Sequence, residues 1–228
     1  MAYGFVAAGA LSVVCLVAPG FSRRNVHRLM RAWGRPILWL QGVRVRVEGR
    51  EYLEAPGAKL VLYNHQSTLD LFVMAAIAPP HALALYKADF HDIPLIGRAM
   101  RALGMVPVRL GNARQAVQDT YAAGRTARTT GATLMIAPEG ARSAAGELQA
   151  FRAGAFRVAQ REGLPIVPLV LHGAHDLLPR TSVIIRAGTL VAEALPPIDT
   201  SGWDAEQVRE RATEVRALFE RALARRAL

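Results

Sequence analysis

One segment, KLVLYNHQSTLDLFVMAA (residues 59–76), predicts a buried strand that is followed directly by a helix. Lys59–Tyr63 is short and apolar, whereas Leu69–Ala78 is an almost uninterrupted apolar run of helical length. Ser67 stands where a helix N-cap is expected, because its hydroxyl can accept a hydrogen bond from an N–H group of the first turn. The polar residues between the two elements therefore lie at a strand-to-helix junction.

His65 and Asp70 are five residues apart at this junction. If the helix begins after Ser67, Asp70 lies in its first turn and can fold back toward His65. A carboxylate at one ring nitrogen fixes the tautomer and stabilises imidazolium, so the other nitrogen can take a proton from a substrate hydroxyl. A second interpretation needs no catalysis, since Ser67 and Asp70 also form a pair of the capping-box type. The heptapeptide alone leaves both interpretations open.

The composition favours one globular domain with a strongly basic surface. The chain has 228 residues, of which 52% are hydrophobic, and a formal net charge of +10. Arginine supplies nearly all of the positive charge. Such a surface suits phosphorylated substrates, other polyanions or anionic lipid. The single cysteine, Cys15, excludes an intramolecular disulfide and a thiolate metal cluster.

The N-terminal segment predicts contact with a membrane. Met1–Phe21 carries no charged side chain, and about 20 apolar residues are enough to cross a bilayer. Pro19 and Gly20 shorten the expected helix, so a segment that enters only one leaflet is the alternative. The arginines that follow predict that this flank, and with it the rest of the chain, lies on the cytoplasmic side of the inner or another cytoplasmic membrane: Arg23, Arg24, Arg28, Arg31 and Arg35.

The next stretch, Val26–Leu40, mixes arginines with large apolar residues and two tryptophans. This pattern is typical of a helix in the membrane interface, with tryptophans at headgroup level and arginines at lipid phosphates. The alternative is an amphipathic helix that packs on the protein core. We assign residues 1–40 to a membrane-anchoring helical segment and residues 41–228 to one soluble domain.

Strand and helix patterns alternate through this domain. The alternation predicts an α/β fold, a single layered domain with a largely parallel mixed sheet flanked by helices. Strands are expected at Val43–Val47, Lys59–Tyr63, Ala82–Tyr86, Met105–Arg109, Thr133–Ala137, Ile166–Leu171, Val183–Arg186 and Thr189–Ala192. Helices are expected at Asp70–Ala78, Pro94–Ala102, Ala113–Thr129, Gly154–Glu162 and from about Trp203 to the C-terminus.

Two further polar clusters follow predicted strands. Arg109 ends one strand, and the loop Ala137–Ser143 follows another with a carboxylate, a glycine and a guanidinium at Glu139, Gly140 and Arg142. Polar side chains at the carboxyl ends of strands are well placed to bind a phosphorylated ligand. In isolation, Arg109 is more often a surface charge and the loop an ordinary charged loop.

Taken in order, these segments resemble the glycerolipid acyltransferase family over about residues 40–200. Its first motif, NHxSxxD, is matched by Asn64, His65, Ser67 and Asp70, and its second by Gly104 and Arg109. The third, usually FPEGTRS, keeps Pro138, Glu139, Gly140, Arg142 and Ser143, with alanine at positions 137 and 141; the proline-containing fourth is matched by Ile166–Val170. A lysine common in the family after Phe151 is Arg152 here.

The resemblance implies transfer of a fatty acyl group from acyl-CoA or acyl carrier protein to the free hydroxyl of a lysophospholipid, converting 1-acylglycerol-3-phosphate to phosphatidic acid. It implies His65 as general base and Asp70 as the residue that orients it. Arg109, Glu139, Gly140 and Arg142 would then hold the phosphate and glycerol of the acceptor. No metal or redox cofactor is implied.

Other functions fit part of the sequence. Glycerol-3-phosphate or a lyso-ornithine or other amino lipid is an alternative acceptor. A non-catalytic, basic membrane-binding protein would explain the charge and the N-terminus but not the ordered motifs. Nucleic-acid binding is not expected, because aromatic residues make up only 7% of the chain and no nucleic-acid-binding motif is present.

Overall fold

The computed structural model describes residues 25–93, 96–102, 105–109, 111–143 and 146–226. The predicted membrane segment Met1–Phe21 and Gly104 of the second motif lie outside these residues. The strands are β1 (Val43–Glu48), β2 (Lys59–Tyr63), β3 (Ala82–Lys87), β4 (Val106–Val108), β5 (Thr133–Ile136), β6 (Ile166–His172) and β7 (Gly188–Ala194). The helices are α1 (Val26–Leu40), α2 (Arg50–Glu54), α3 (Leu69–Ile77), α4 (Ile96–Ala102), α5 (Ala113–Thr130), α6 (Ala153–Glu162), α7 (Ala174–Leu177) and α8 (Val208–Arg225), with a 3₁₀ turn at Ala88–Phe90.

The seven strands form one mixed sheet in the order β1-β7-β6-β2-β5-β3-β4. Every neighbouring pair is parallel except β6 and β7, which are antiparallel. Helical crossovers join the strands that run in the same direction, as parallel pairing requires. The predicted α/β domain with a largely parallel mixed sheet is confirmed.

Helices cover both faces of the sheet, so alternate residues of the central strands enter two cores. Val61 of β2 faces the core formed with α1 and α3, whereas Leu60 and Leu62 face the core formed with α5, α6 and α8. Because both faces are buried, β2 and β6 are apolar except for the first residue of β2, Lys59, and the last residue of β6, His172.

Two of the predicted elements differ from the structure by more than one or two residues at an end. Val183–Arg186 is not a strand; the Ser182 hydroxyl accepts a hydrogen bond from the N–H of Ile184 and donates one to its carbonyl. This local pairing competes with a strand ladder, and it leaves Val183 and Ile184 80% and 73% exposed. The C-terminal helix begins at Val208, five residues later than predicted, because residues 200–207 close hydrogen-bonded turns.

Helix α1 packs against α3 rather than presenting its whole apolar side to lipid. Its buried side includes Met30 and Leu38, and the rings of Trp33 and Phe72 lie 5.2 Å apart. Two arginines predicted to reach lipid phosphates instead donate to carbonyl groups at the end of α3, Arg31 to Ala78 at 2.9 Å and Arg35 to Ala76 at 3.2 Å. The structure therefore supports the core-packing interpretation of this helix. None of the described helices has the combined length and apolarity needed to cross a membrane.

Gly34 allows the close contact between α1 and α3. A methyl group at Gly34 would lie 2.6 Å from the carbonyl oxygen of Phe72 and 2.7 Å from the backbone nitrogen of Ala76. We expect Gly34→Ala to lower the free energy of unfolding by about 1–3 kcal/mol, because the added carbon forces the helices apart. Urea unfolding of the full chain, followed by circular dichroism, measures this change.

Gly154→Ala is the matched control, because a methyl group there meets no heavy atom within 4 Å. Alanine in place of this helical glycine should leave stability unchanged or raise it by up to about 1 kcal/mol. Wild-type stability of Gly34→Ala would contradict the packing of α1 on α3.

Candidate active site

The site lies at the edge of the sheet where β2, β5 and β6 end. Asn64 follows β2 and is fully buried; its amide donates to the carbonyl of Leu171 at 3.0 Å, and its side-chain oxygen accepts from the N–H of Leu171 at 2.7 Å. The Asn64 side chain thus extends the hydrogen bonding between β2 and β6 by one residue, in the place of a backbone group. The loop that carries His65 is thereby fixed to the neighbouring strand.

His65 and Asp70 meet as the sequence predicts. His65 Nδ1 lies 2.8 Å from Asp70 Oδ2, and the same oxygen accepts hydrogen bonds from the backbone N–H groups of Gln66 at 2.9 Å and Ser67 at 3.0 Å. Asp70 is 1% exposed, so its charge is directed into this loop and the imidazole ring. It both holds the loop backbone and orients the histidine.

The capping interpretation is realised only in part. Thr68, not Ser67, is the N-cap residue of α3, and its side chain makes no capping bond. The Ser67 hydroxyl accepts from the N–H of Leu69 at 3.0 Å and donates to the carbonyl of Leu178 at 2.8 Å. Ser67 therefore joins the His65 loop to the loop after β6.

The second ring nitrogen of His65 is open to a ligand. With Nδ1 at Asp70, Nε2 has no hydrogen-bond partner among the described residues, and the side chain remains 27% exposed. A neutral imidazole with Nδ1–H on the carboxylate presents Nε2 as a proton acceptor. This arrangement can remove a proton from a hydroxyl group that approaches from outside.

Glu139 fixes the backbone of His65 through a hydrogen bond. Its Oε1 accepts from the N–H of His65 at 2.7 Å and its Oε2 from the N–H of Gln149 at 2.9 Å, while the N–H of Ser143 donates to the carbonyl of His65 at 3.0 Å. Burial raises the pKa of the Glu139 carboxyl, and the two backbone N–H groups oppose this by favouring the charged form. Both oxygens are occupied, so the predicted contact of Glu139 with substrate hydroxyls stays a prediction.

Gly140 makes room for Arg152. Its φ of +73° lies in the left-handed region, and a methyl group there would lie 2.7–3.0 Å from the Arg152 guanidinium and its Cδ. The N–H of Arg152 donates to the carbonyl of Pro138 at 2.8 Å. The glycine of the third motif thus lets Arg152, the N-cap residue of α6, approach the loop closely.

Arg142 lies beside the His65 loop. Its guanidinium donates to the hydroxyl of Thr68, and its carbonyl accepts from Arg180 at 3.3 Å. The side chain is partly exposed, so the remaining N–H groups can reach an anion at the site. The structure brings Arg142 together with His65 and Asp70 as predicted.

Arg109 occupies the same edge of the sheet but is farther away. It follows β4, which is separated from β2 by β5 and β3, about 14 Å at three strand spacings. Its guanidinium forms a two-point ion pair with Asp119 of α5, with Nε 2.9 Å from Oδ2, and its N–H donates to the same carboxylate at 3.0 Å. The arginine lowers the pKa of Asp119, so the pair is charged. Its predicted contact with phosphate stays a prediction.

Sequence reasoning missed Thr68 and Asp119, the partners of the two arginines. Thr68 lies inside the first motif, and the one signal of its role was a hydroxyl group beside the predicted junction. Asp119 lies ten residues after Arg109 on the polar side of α5, with no local pattern that marks it. A role for Asn64 beyond the motif match was also missed, although its place directly after a buried strand signals a backbone partner.

The fold and the site together define a class: α/β proteins in which a histidine–aspartate pair and arginine side chains gather at the ends of parallel strands. The family model described as Acyltransferase matches residues 44–172, more than half of the chain. The chain therefore belongs to the acyltransferase family. The matched range includes His65, Asp70, Arg109 and the whole Glu139–Arg142 loop.

Relatives of known description span most of the chain. A 1-acyl-sn-glycerol-3-phosphate acyltransferase of Limnanthes alba is 26% identical over 218 residues, which cover 96% of this chain and 77% of the relative. The protein of the same description from Salmonella typhimurium is 28% identical over 213 residues, which cover 93% and 85%. The crystal structure of the 1-acyl-sn-glycerophosphate acyltransferase PlsC from Thermotoga maritima has the same fold, with a TM-score of 0.74, 20% identity and coverage of 98% and 97%.

The contacts of Glu139 predict the effect of its amide. In Glu139→Gln an NH₂ group must face one of the two backbone N–H donors, which leaves a buried N–H unpaired at a cost of about 1–3 kcal/mol. We expect the free energy of unfolding to fall by that amount and kcat to fall while KM changes little, because His65 loses its support. Urea unfolding and steady-state kinetics measure the two effects.

Glu147→Gln is the control, because Glu147 is an exposed carboxylate of the same loop. It should behave as wild type. A Glu139→Gln variant with unchanged kcat and a raised KM for the acceptor would instead support direct contact between Glu139 and the substrate.

Proposed function

We propose that the protein transfers a fatty acyl group from a thioester donor to the free hydroxyl of 1-acylglycerol-3-phosphate, which gives phosphatidic acid. The single observation that supports this reaction best is the partly exposed His65, oriented by a buried carboxylate at 2.8 Å and flanked by Arg142. The relatives' descriptions point to this acceptor. The phosphate of such an acceptor also suits an edge that carries several arginines.

The proposed chemistry is direct attack by the acceptor. His65 Nε2 takes the hydroxyl proton while the acceptor oxygen forms a bond to the thioester carbonyl carbon. Asp70 stabilises the imidazolium that results. The tetrahedral intermediate then expels the thiolate, which receives the proton from His65, so an ester and a free thiol leave the site.

We propose no metal or redox cofactor, because a thioester carbonyl is already electrophilic and neither oxidation nor reduction occurs. The donor is acyl-CoA or acyl carrier protein, whose thioesters supply the same acyl chemistry. General-base assistance by His65 accounts for roughly 10²–10⁴ of the rate enhancement.

The arginines are proposed to hold the acceptor phosphate. Arg142 lies next to the His65 loop, and Arg109 lies across two strands at the same edge. Glu139 and Gly140 shape this loop, through the His65 backbone and through the close approach of Arg152. In this proposal, Glu139 and Gly140 help to bind the acceptor by fixing the positions of the residues that surround it.

A membrane is the proposed source of the acceptor. A lysophospholipid and its product partition into lipid, and the basic surface favours anionic lipid. Residues 1–24, with their apolar start and the first arginines of the cluster, are proposed to anchor the protein at a cytoplasmic membrane with the catalytic domain toward the cytoplasm.

One departure from the family pattern favours a second acceptor. Ala141 stands where the family usually has threonine, so a hydroxyl is missing beside Arg142. The missing hydroxyl would weaken the binding of an acceptor with a different polar group less. Glycerol-3-phosphate and an amino lysolipid are such acceptors. Thiol release by the purified protein with a panel of lysolipids, and with both thioester donors, separates these acceptors.

Replacing the base tests the mechanism. We expect His65→Asn to lower kcat by about 10²–10⁴-fold, because no group remains to take the hydroxyl proton. His81→Asn is the matched control: His81 is exposed at the opposite edge of the sheet, and its φ of +52° is a conformation that asparagine tolerates. Near-wild-type turnover by folded His65→Asn would refute the assignment.

Replacing Arg109 tests phosphate binding. We expect Arg109→Ala to raise the KM of the acceptor more than that of the thioester donor, because only the acceptor phosphate would contact this arginine. The control is Arg125→Ala, which removes an exposed arginine from the same helix as Asp119. Equal effects on the two KM values would argue against the role.

A further inference from the structure

Four large apolar side chains are more than half exposed in the part of the chain that the structure describes. They are Val183 at 80%, Trp39 at 77%, Ile184 at 73% and Leu71 at 56%. They come from three separate segments: the loop after α7, the end of α1 and the first turn of α3. Exposed apolar side chains that gather from distant segments mark a contact surface.

The topology places all three segments at the edge of the sheet that carries the site. Leu71 directly follows Asp70. The loop with Val183 and Ile184 lies between the end of β6 and the start of β7, and Trp39 lies just before β1. Because β1 and β7 are parallel to each other and antiparallel to β6, they begin where β6 ends, and the N–H of Gly188 donates to the carbonyl of Gly42 at 3.1 Å.

The loop of residues 177–187 holds its tip outward. The N–H of Arg186 donates to the carbonyl of Leu177 at 2.8 Å, which closes the base of the loop. Leu178 is buried and its carbonyl accepts from Ser67, while Ile185 packs on the core. Contacts on both sides of the tip therefore hold the two apolar residues in solvent. The tip is not a loosely packed segment.

The charge of the loop complements an anionic surface. Residues 177–187 contain two arginines, Arg180 and Arg186, and no acidic residue. Arg180 lies within hydrogen-bond distance of the carbonyl of Arg142, so the loop cations continue into the cations of the site. Apolar side chains flanked by arginines are the combination that binds anionic bilayers.

We propose that Val183 and Ile184 insert into an anionic bilayer and seat the site edge of the sheet on the lipid surface. Trp39 and Leu71 lie at the margin of the same contact. The proposal rests on the proposed function to the extent that a lipid acceptor must enter the site from a membrane. It assigns the contact to the catalytic domain itself, apart from any anchor in residues 1–24.

A fluorescent label at the tip tests the insertion in the full chain. Ile184→Cys is made in a Cys15→Ser background and labelled with an environment-sensitive dye. Vesicles of phosphatidylcholine with phosphatidic acid should raise and blue-shift the emission, and lipids brominated in their acyl chains should quench it. Ala205→Cys is the control, because Ala205 is exposed at the opposite edge and its label should not respond.

A second variant measures how much the tip contributes. Val183→Ser with Ile184→Ser should weaken partition onto the same vesicles by at least about tenfold, since two apolar side chains no longer enter the lipid. Turnover of a short-chain, water-soluble acceptor should stay at the wild-type level, because neither residue belongs to the catalytic or binding machinery.

Two results would overturn the proposal. One is that the emission of the label at position 184 stays as it is in water when vesicles are added, whether or not the protein binds to them. The other is an emission change without lipid that grows with protein concentration, which would show that a second copy covers the tip. Neither readout needs turnover, so insertion by a protein that does not acylate lysolipids would refute the proposed function alone.

Discussion

His65 is held at three points, and the geometry of the site depends on them. Glu139 accepts from its backbone N–H, Ser143 donates to its carbonyl, and Asp70 contacts Nδ1 of its ring. Two of these bonds come from the loop after β5, so the histidine that follows β2 is fixed by the neighbouring strand's connection. A general base must be placed to within fractions of an ångström, and a loop fixed on both backbone groups can do this.

The same arrangement places two carboxylates in the interior of a basic protein. Asp70 and Glu139 are 1% and 2% exposed, and burial of an unpaired carboxylate would cost several kcal/mol. Both Glu139 oxygens instead accept from backbone N–H groups, and Asp70 Oδ2 accepts from two backbone N–H groups and contacts the imidazole ring. Asp70 Oδ1 is buried without a hydrogen-bond partner among the described residues. Neither needs an arginine to neutralise it. The arginines at this edge, Arg142 and Arg152, therefore keep N–H groups for a ligand.

The strands and helices were predictable because their signals are local. The apolar run of β2, the break at Asn64 and the helical run of α3 lie within nineteen residues, and the sheet follows from the alternation of such units. His65 and Asp70 were predictable for the same reason, since both stand at one junction. The Val183–Arg186 prediction failed where a local serine turn outweighed three β-branched residues.

The remaining contacts of the site could not be predicted from the sequence because they join distant positions. Glu139 and His65 are 74 residues apart, and Asn64 and Leu171 are 107 apart. No spacing rule identifies a buried carboxylate that will hold a backbone N–H in another loop. The packing of α1 was ambiguous for a related reason: an apolar stripe is the same whether a bilayer or α3 covers it. The contacts with α3, including the close approach at Gly34, distinguish the two.

The sheet topology also divides the site edge into two parts. The loops that follow the parallel strands β2 and β5 are polar and hold His65, Asp70 and Arg142. The reversal between β6 and β7 brings the start of β1 and the end of α1 to the same edge. The reversing loop and the end of α1 carry three of the four large apolar residues that are more than half exposed in the described part of the chain, Val183, Ile184 and Trp39. A fully parallel sheet would have sent the start of β1 and the end of α1 to the opposite edge. The antiparallel pairing of β6 and β7 therefore puts an apolar margin beside a polar site, an arrangement that suits an enzyme acting on lipid headgroups.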